Sequence, residues 1–507
     1  MTISLRSVVP ALLCAAGVAG AQATAPAAPA APACDPGASQ AVAKATLYLQ
    51  QAASSVNAKQ DATKPLKSAI GVLTTPTKDA KEAADSVGRA YYLGQAYILM
   101  LQQPAIPESG PRSTYGITTE PTANIDLLAA ADSAFTLVEK AQPGCRTEIA
   151  QWREQKPWLE AVNAAIAAVN ADHYDSAEVY AKRALTIDHR APYPYSVLAS
   201  VATNKKDYAT ATEMLRKAIE VAGADTIYND AKQNAMYDLA STLVTEYDAA
   251  SGADKATLAK QAIDAWEAYI PVGTQDARIA HAQSTASQIA LAMKDTTEYA
   301  KIYAPIAANP ARYGDLAVLN AGVIATQAGN VPDAIKLFST VVDRNPYQRD
   351  ALKNLAASYI GNKQPAKVAP VVDKLVALDP NNPSNWLLYA YAYAGLLKDT
   401  KDPKLTKAYT DSLVKYNTKS EKLTPDVEVR EFTVSPNDKT ATLGGTVENR
   451  GTAAKAYTID VEFLDKTGAV VGTQSVTTPS VAPKASAPFK ATVQAVNVVA
   501  YRYKPVV

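Results

Sequence analysis

The stretch His173–Ile187 reads His-Tyr-Asp-Ser-Ala-Glu-Val-Tyr-Ala-Lys-Arg-Ala-Leu-Thr-Ile, and Asp207–Val221 reads Asp-Tyr-Ala-Thr-Ala-Thr-Glu-Met-Leu-Arg-Lys-Ala-Ile-Glu-Val. Laid over each other at one fixed offset, Tyr174 meets Tyr208, Ala177 meets Ala211, and Ala184 meets Ala218. The basic pair Lys182–Arg183 meets Arg216–Lys217. Ala177 and Ala184 are seven apart, so both lie on one helix face and let a neighbouring helix approach closely. Leu185 and Ile187, matched by Ile219 and Val221, supply apolar area. One such unit cannot bury its own apolar face, so several must stack.

The period returns further on. Asn345-Pro346 ends one unit and Asp379-Pro380 ends the next, at the same offset that separates Tyr174 from Tyr208. A Pro at that place stops a helix. Between them Leu352, Leu355, Ala356 and Tyr359 mark a first helix, and Val368, Val372 and Leu375 a second. Asp315–Thr326 and Val331–Val342 form the pair before. Trp386, Tyr389, Ala390 and Tyr393 open the last pair, which Leu405–Tyr416 closes. Less regular pairs are expected at Tyr228–Ala249 with Lys255–Ile270, and at Asp276–Met293 with Thr296–Ala307.

A helix–turn–helix unit that recurs about every 34 residues, with small, aromatic and aliphatic residues at fixed places, resembles the tetratricopeptide repeat. The resemblance covers most of Gly37–Ser420. It implies a mostly α fold, an α-solenoid of antiparallel helix pairs, in which the first helix of each repeat lines a concave groove that binds peptides. Carried onto this chain, that groove consists of Tyr193, Ser196 and Ser200, then Leu316, Leu319 and Val323. Asp350, Lys353 and Ala357 follow, and Leu387 and Tyr391 complete it. The lysine-and-asparagine clamp that some members use for C-terminal carboxylates is not reproduced, because Lys353 and Asn354 lack their companions.

Before the clear repeats, helices are expected at Ala38–Ser54, Lys67–Leu73, Lys78–Leu101 and Asn124–Ala141. The segment Gln102–Thr122 is rich in Pro, Gly, Ser and Thr, and reads as a disordered insertion rather than a functional lip. The pattern changes near Thr424. Asp426–Val434 alternates like a half-buried strand, and Ala441–Glu448, Ala456–Leu464, Ala469–Val476, Phe489–Val496 and Val498–Lys504 follow at even spacing. They predict a small all-β sandwich over residues 424–507. Gly445-Thr-Val447-Glu-Asn449, Val461-Glu-Phe463-Leu-Asp465-Lys-Thr-Gly468 and Val481-Ala-Pro483 resemble the FxLYD-type immunoglobulin-like domains of bacterial exported proteins.

The N-terminus bears export signals. Arg6 gives a basic start, Val8–Val18 an apolar run, and Ala19-Gly20-Ala21 a small-x-small site. Residues 1–21 are therefore expected to be a signal peptide cleaved before Gln22, placing the mature protein in the periplasm or at the outer envelope. Leu13 precedes Cys14 where a lipobox needs a small residue, so no lipid anchor is expected. Residues 22–36 form an Ala/Pro-rich disordered linker. Residues 37–157 hold degenerate repeat-like helices, and 158–420 the tetratricopeptide solenoid. Cys34 and Cys145 remain after cleavage. They can pair, closing a loop of ~110 residues, or stand as separate thiols.

Fifty Lys and Arg against 49 Asp and Glu leave no field for a nucleic acid, and no stretch beyond the export signal is long and apolar enough to cross a membrane. The chain has no Gly-rich phosphate loop, His-Glu-x-x-His, Gly-x-Ser-x-Gly or Cys-x-x-Cys. Its three histidines, His173, His189 and His281, have no ligand partners at metal spacing. No catalytic residue, metal or cofactor is expected. The pattern reads as a non-enzymatic interaction scaffold of the bacterial envelope, with protein partners in the groove. The alternative is a surface or polysaccharide-binding protein that reads its ligand through the β-sandwich, for which a row of exposed aromatics there would be the mark.

Overall fold

A computed structural model describes residues 34–435 and 439–507. The expected signal peptide, residues 1–21, and most of the Ala/Pro linker lie outside the described residues. The chain divides into two compact units, Met1–Thr242 and Leu243–Val507.

The first unit opens with α1 (Gln40–Asn57), α2 (Thr63–Thr74), the short α3 (Ala80–Ala84) and α4 (Ser86–Leu101). The single helix expected over Lys78–Leu101 is split because Asp85 leaves the helical path to cap α4, accepting from Gly88 N at 3.1 Å. Gln102–Thr122 is not a disordered insertion. β1 (Ser109–Pro111) pairs antiparallel with β2 (Asn124–Asp126), which replaces the first turn of the helix expected there. Tyr115 is fully buried and donates to the Pro107 carbonyl at 2.9 Å. Gly116 follows at φ +88°, where a Cβ would sit 2.4 Å from the Lys67 carbonyl oxygen. Composition announced a flexible loop, but one buried tyrosine and a backbone approach that only glycine allows fix it onto α2.

The unit continues through α5 (Leu127–Ala141), α6 (Arg146–Arg153), α7 (Lys156–Asn170), α8 (Tyr174–Ile187), α9 (Tyr193–Asn204) and α10 (Tyr208–Ala222). The quoted stretches are α8 and α10, and the matched tyrosines Tyr174 and Tyr208 are their first residues. Ala177, Ala181 and Ala184 of α8 are all fully buried, as are Ala211 and Ala218 of α10. The small side chains bring the helices into contact. Cys34 and Cys145 form a disulfide across 111 residues of sequence.

The chain passes into the second unit within α11 (Asn229–Ala249). The second unit goes on with α12 (Gly252–Tyr269), then α13 (Ile279–Met293) paired with α14 (Thr296–Ala308), α15 (Asp315–Gln327) paired with α16 (Val331–Arg344), and α17 (Arg349–Gly361), which pairs with the helix after it. The last are α18 (Val368–Leu378), α19 (Pro383–Asp399) and α20 (Pro403–Lys422). Asp315, Arg349 and Pro383, each one repeat length after the residue before, open α15, α17 and α19. The turns keep the same register. Asp172 and Lys206, like Gly329 and Lys363, hold left-handed φ values one repeat length apart, +58°, +59°, +77° and +53°. The conformation that ends each first helix is thus imposed by the repeat even where the residue is lysine. The architecture is the expected α-solenoid of antiparallel pairs in each unit.

A sandwich of two three-stranded antiparallel sheets follows. β3 (Asp426–Ser435), β4 (Thr440–Glu448) and β7 (Ser486–Gln494) form one sheet in the order β3-β4-β7. β5 (Thr458–Leu464), β6 (Val470–Thr477) and β8 (Ala500–Tyr503) form the other, with β5 central. Alternate residues Ile459, Val461 and Phe463 of β5 point into the shared core against Val427, Leu443 and Phe489.

Candidate functional site

The groove residues divide between the two units. In the first unit α9 carries Tyr193 half-buried, Ser196 half-buried and Ser200 exposed. The Tyr193 ring meets Tyr228 edge-on at 6.0 Å, and the Tyr228 hydroxyl donates to Glu154 at 2.8 Å. Burial, more than the neighbouring Asp188, raises the Glu154 carboxyl above the usual carboxylate range. Ser196 and Ser200 bond back to the carbonyls of Pro192 and Ser196, four residues earlier, which turns both hydroxyls onto their own helix.

In the second unit the first helices α13, α15, α17 and α19 pack side by side. Gln283 of α13 donates to the Ala317 carbonyl of α15 at 3.2 Å, and Asn320 of α15 donates to Ala280 at 3.3 Å. Their outward side chains can therefore be compared by register. Leu319, Lys353 and Leu387 are equivalent positions, and so are Val323, Ala357 and Tyr391. Leu319 is only 7% exposed and belongs to the core, so it presents no surface to a ligand. Leu316 and Tyr391 are 59% and 55% exposed, and Asp350 and Ala357 are exposed too. Val323, Lys353 and Leu387 are half-buried beside them. The available face is thus a mixed apolar strip centred on Leu316, Ala357 and Tyr391.

Sequence reading missed a second constellation, the seat of the sandwich. Asp379 and Asn381, fully and almost fully buried, lie in the α18–α19 loop. The Asp379 carboxylate accepts from Arg349 Nε at 2.7 Å and from the Tyr503 hydroxyl. The Tyr503 hydroxyl is raised well above its ordinary range, first by burial and then by the Asp379 charge. Asn381 donates to the carbonyls of Pro425 at 3.1 Å and Val506 at 2.8 Å, and accepts from Val506 N at 2.8 Å. One repeat earlier, Asn345 donates to Val499 O at 3.2 Å and Tyr347 to Thr467 O at 3.2 Å. Two consecutive repeat-ending loops therefore hold the sandwich. The signal was the Asn345-Pro346 and Asp379-Pro380 pair, which spacing alone assigned to helix termination.

Of the sandwich aromatics, Tyr457, Phe463, Phe489, Tyr501 and Tyr503 are buried, and Phe432 leans on Tyr501 with centroids 5.0 Å apart. They build the core and the seat, and form no exposed row. The histidines occupy separate places. His173 precedes α8, the His189 carbonyl accepts from Tyr195, and His281 meets Trp266 edge-on at 6.2 Å. Carboxylate oxygens of Asp264, Glu267 and Glu298 lie within 4.8 Å of one another, and Lys301 pairs with Glu298 at 2.8 Å. Burial, opposed by the Lys301 charge and helped by Glu298 and Asp264, pushes Glu267 up to about 7. Among the described residues no helix is long and apolar enough to cross a membrane.

No family model matches the chain, and no curated protein matches it. It is similar to solved tetratricopeptide structures. One, from Parabacteroides merdae, is 12% identical, with 52% of this chain and 100% of that chain covered and a TM-score of 0.25. YrrB, described as a TPR protein with an unusual peptide-binding site, is 17% identical over 52% of this chain and 98% of its own, with a TM-score of 0.24. MamA is 15% identical over 46% of this chain and 95% of its own, with a TM-score of 0.23. The repeat architecture stands on the recurring register of helices and turns described above.

Proposed function

We propose that the chain is a non-enzymatic scaffold of the bacterial cell envelope that binds protein partners through the first helices of its repeats. The observation that carries this is the strip of Leu316, Ala357 and Tyr391, side chains left in water on helices whose other faces are packed. Exposed apolar side chains, Leu316 and Tyr391 among them large, on packed helices suit a partner interface. The near-zero net charge gives no overall field toward nucleic acid. In this reading residues 1–21 are an export signal, 22–36 a tether, 37–157 and 158–420 the repeats, and 424–507 a module seated on them. The Cys34–Cys145 disulfide supports an oxidising compartment.

Photo-crosslinkers placed in cells at Leu316, Ala357 and Tyr391 are expected to capture one and the same envelope protein. One at the exposed Asp343 on α16 is expected to capture none of it. Equal capture from all four positions, or none from the first three, overturns the groove reading. N-terminal sequencing of the recovered protein tests the export signal, with Gln22 expected first.

A further inference from the structure

The last helix pair carries a cleft outside the groove. Trp386, Tyr389 and Tyr393 stand at i, i+3 and i+7 on α19, and Tyr416 of α20 stacks on all three, with centroids 6.3, 4.3 and 5.8 Å away. Beside this stack lies a cleft of about 710 Å3, lined by Trp386, Tyr416, Thr418, Leu423 and Thr424. Lys415, Lys419 and Lys422 line it from one stripe of α20. All three are exposed, and among the described residues none is paired with a carboxylate. Instead the Lys415 ammonium lies 5.1 Å from the Tyr416 ring centre and the Lys419 ammonium 5.2 Å from that of Trp386.

Two ammonium groups resting on aromatic faces are held in place without being neutralised. In a chain of net charge +1, three unpaired lysines beside two rings form a local cationic, half-apolar surface. From this we infer that the cleft is a second binding site, for an acidic segment of a partner protein in extended conformation. Lysines four apart on a helix are separated by about 6 Å along its axis. Alternate residues of an extended chain point the same way and are about 6.6 Å apart. Carboxylates at alternate positions therefore match Lys415 and Lys419, and the apolar residues between them meet Trp386 and Tyr416. The cleft is open rather than enclosed, which suits a chain segment.

The probe is a labelled Asp-Leu-Asp-Leu-Asp peptide, read by fluorescence anisotropy on the full mature chain at low and high salt. Saturable binding is expected, weakening with salt. The triple variant Lys415→Gln/Lys419→Gln/Lys422→Gln is expected to weaken it about tenfold. Those side chains are exposed, and an unchanged circular dichroism melt shows that the variant folds. Lys490→Gln, at an exposed position of β7, is expected to leave the affinity unchanged, which separates this cleft from general surface charge. The inference is overturned if Asn-Leu-Asn-Leu-Asn binds equally well, if the triple variant binds as before, or if an acidic oligosaccharide binds in a lysine-dependent way where the peptide does not.

Discussion

Replacing Asp379 by Ala tests what holds the sandwich to the repeats. The carboxylate is fully buried, and its main partner, the Arg349 side chain, is 12% exposed. Removing one member of a buried pair leaves the other charge uncompensated and costs about 3–5 kcal/mol. Arg349 keeps one exposed partner, Asp350 at 3.0 Å, so the lower figure applies. The Tyr503 hydroxyl also loses its acceptor, which adds about 1 kcal/mol. The total is about 4 kcal/mol, most of it felt where β8 meets the α18–α19 loop. Hydrogen exchange of the β8 amides and of Val427, whose N–H bonds to the Asn381 carbonyl at 3.0 Å, reads this directly. About 4 kcal/mol corresponds to roughly a thousandfold faster exchange if the seat opens as a unit. The double variant Arg349→Met/Asp379→Leu removes both charges and is expected to return within about 1 kcal/mol of the wild type. Unchanged exchange in Asp379→Ala would refute the seat as the element holding the sandwich. A double variant as poor as the single would show that lost packing, not unpaired charge, is the cause.

Other outcomes follow from single contacts. Reducing the Cys34–Cys145 bridge releases a loop of 111 residues and is expected to cost the first unit about 4–5 kcal/mol in the chain-entropy account, measured as a lower melting temperature with reductant. Gly322→Ala puts a Cβ 2.6 Å from the Phe338 ring and is expected to destabilise the second unit by about 1–3 kcal/mol in urea unfolding, despite alanine's better helix propensity. Lys363→Gly relieves a left-handed lysine at φ +53° and is expected to stabilise by about 0.5–1 kcal/mol in the same assay. Glu267 sits at about 7 when folded against an ordinary 4.5, so the folded state binds the extra proton. Stability from this group is full below about 4.5 and is lost as pH rises through about 7. Glu267→Gln is expected to flatten that part of the stability–pH profile and to melt higher than wild type at pH 8.

The repeat was legible because its physics is local. A fixed spacing of alanines and prolines states which helix faces touch and where helices stop, and the helices α8, α10, α15, α17 and α19 keep that register. Strand alternation in the last part of the chain was equally local, and β3 to β8 lie where it placed them to within a few residues. What sequence could not give were events between distant residues. Leu319 and Leu316 are both leucines three apart on one helix, yet one is 7% and the other 59% exposed, because neighbouring helices cover only one side. The Gln102–Thr122 segment looked like a loop by composition, and the burial of Tyr115, the β1–β2 pairing and the approach of Gly116 to α2 order it. The Asp379–Arg349–Tyr503 seat joins residues up to 124 apart in sequence, and no periodicity reports such a meeting. Sequence alone therefore determined the repeating unit, the order of the elements and the all-β end, since each rests on neighbours within one or two turns or strands. Tertiary structure decided which of those faces remain in water and how the sandwich is seated, because both depend on what is packed against each side chain from elsewhere in the chain.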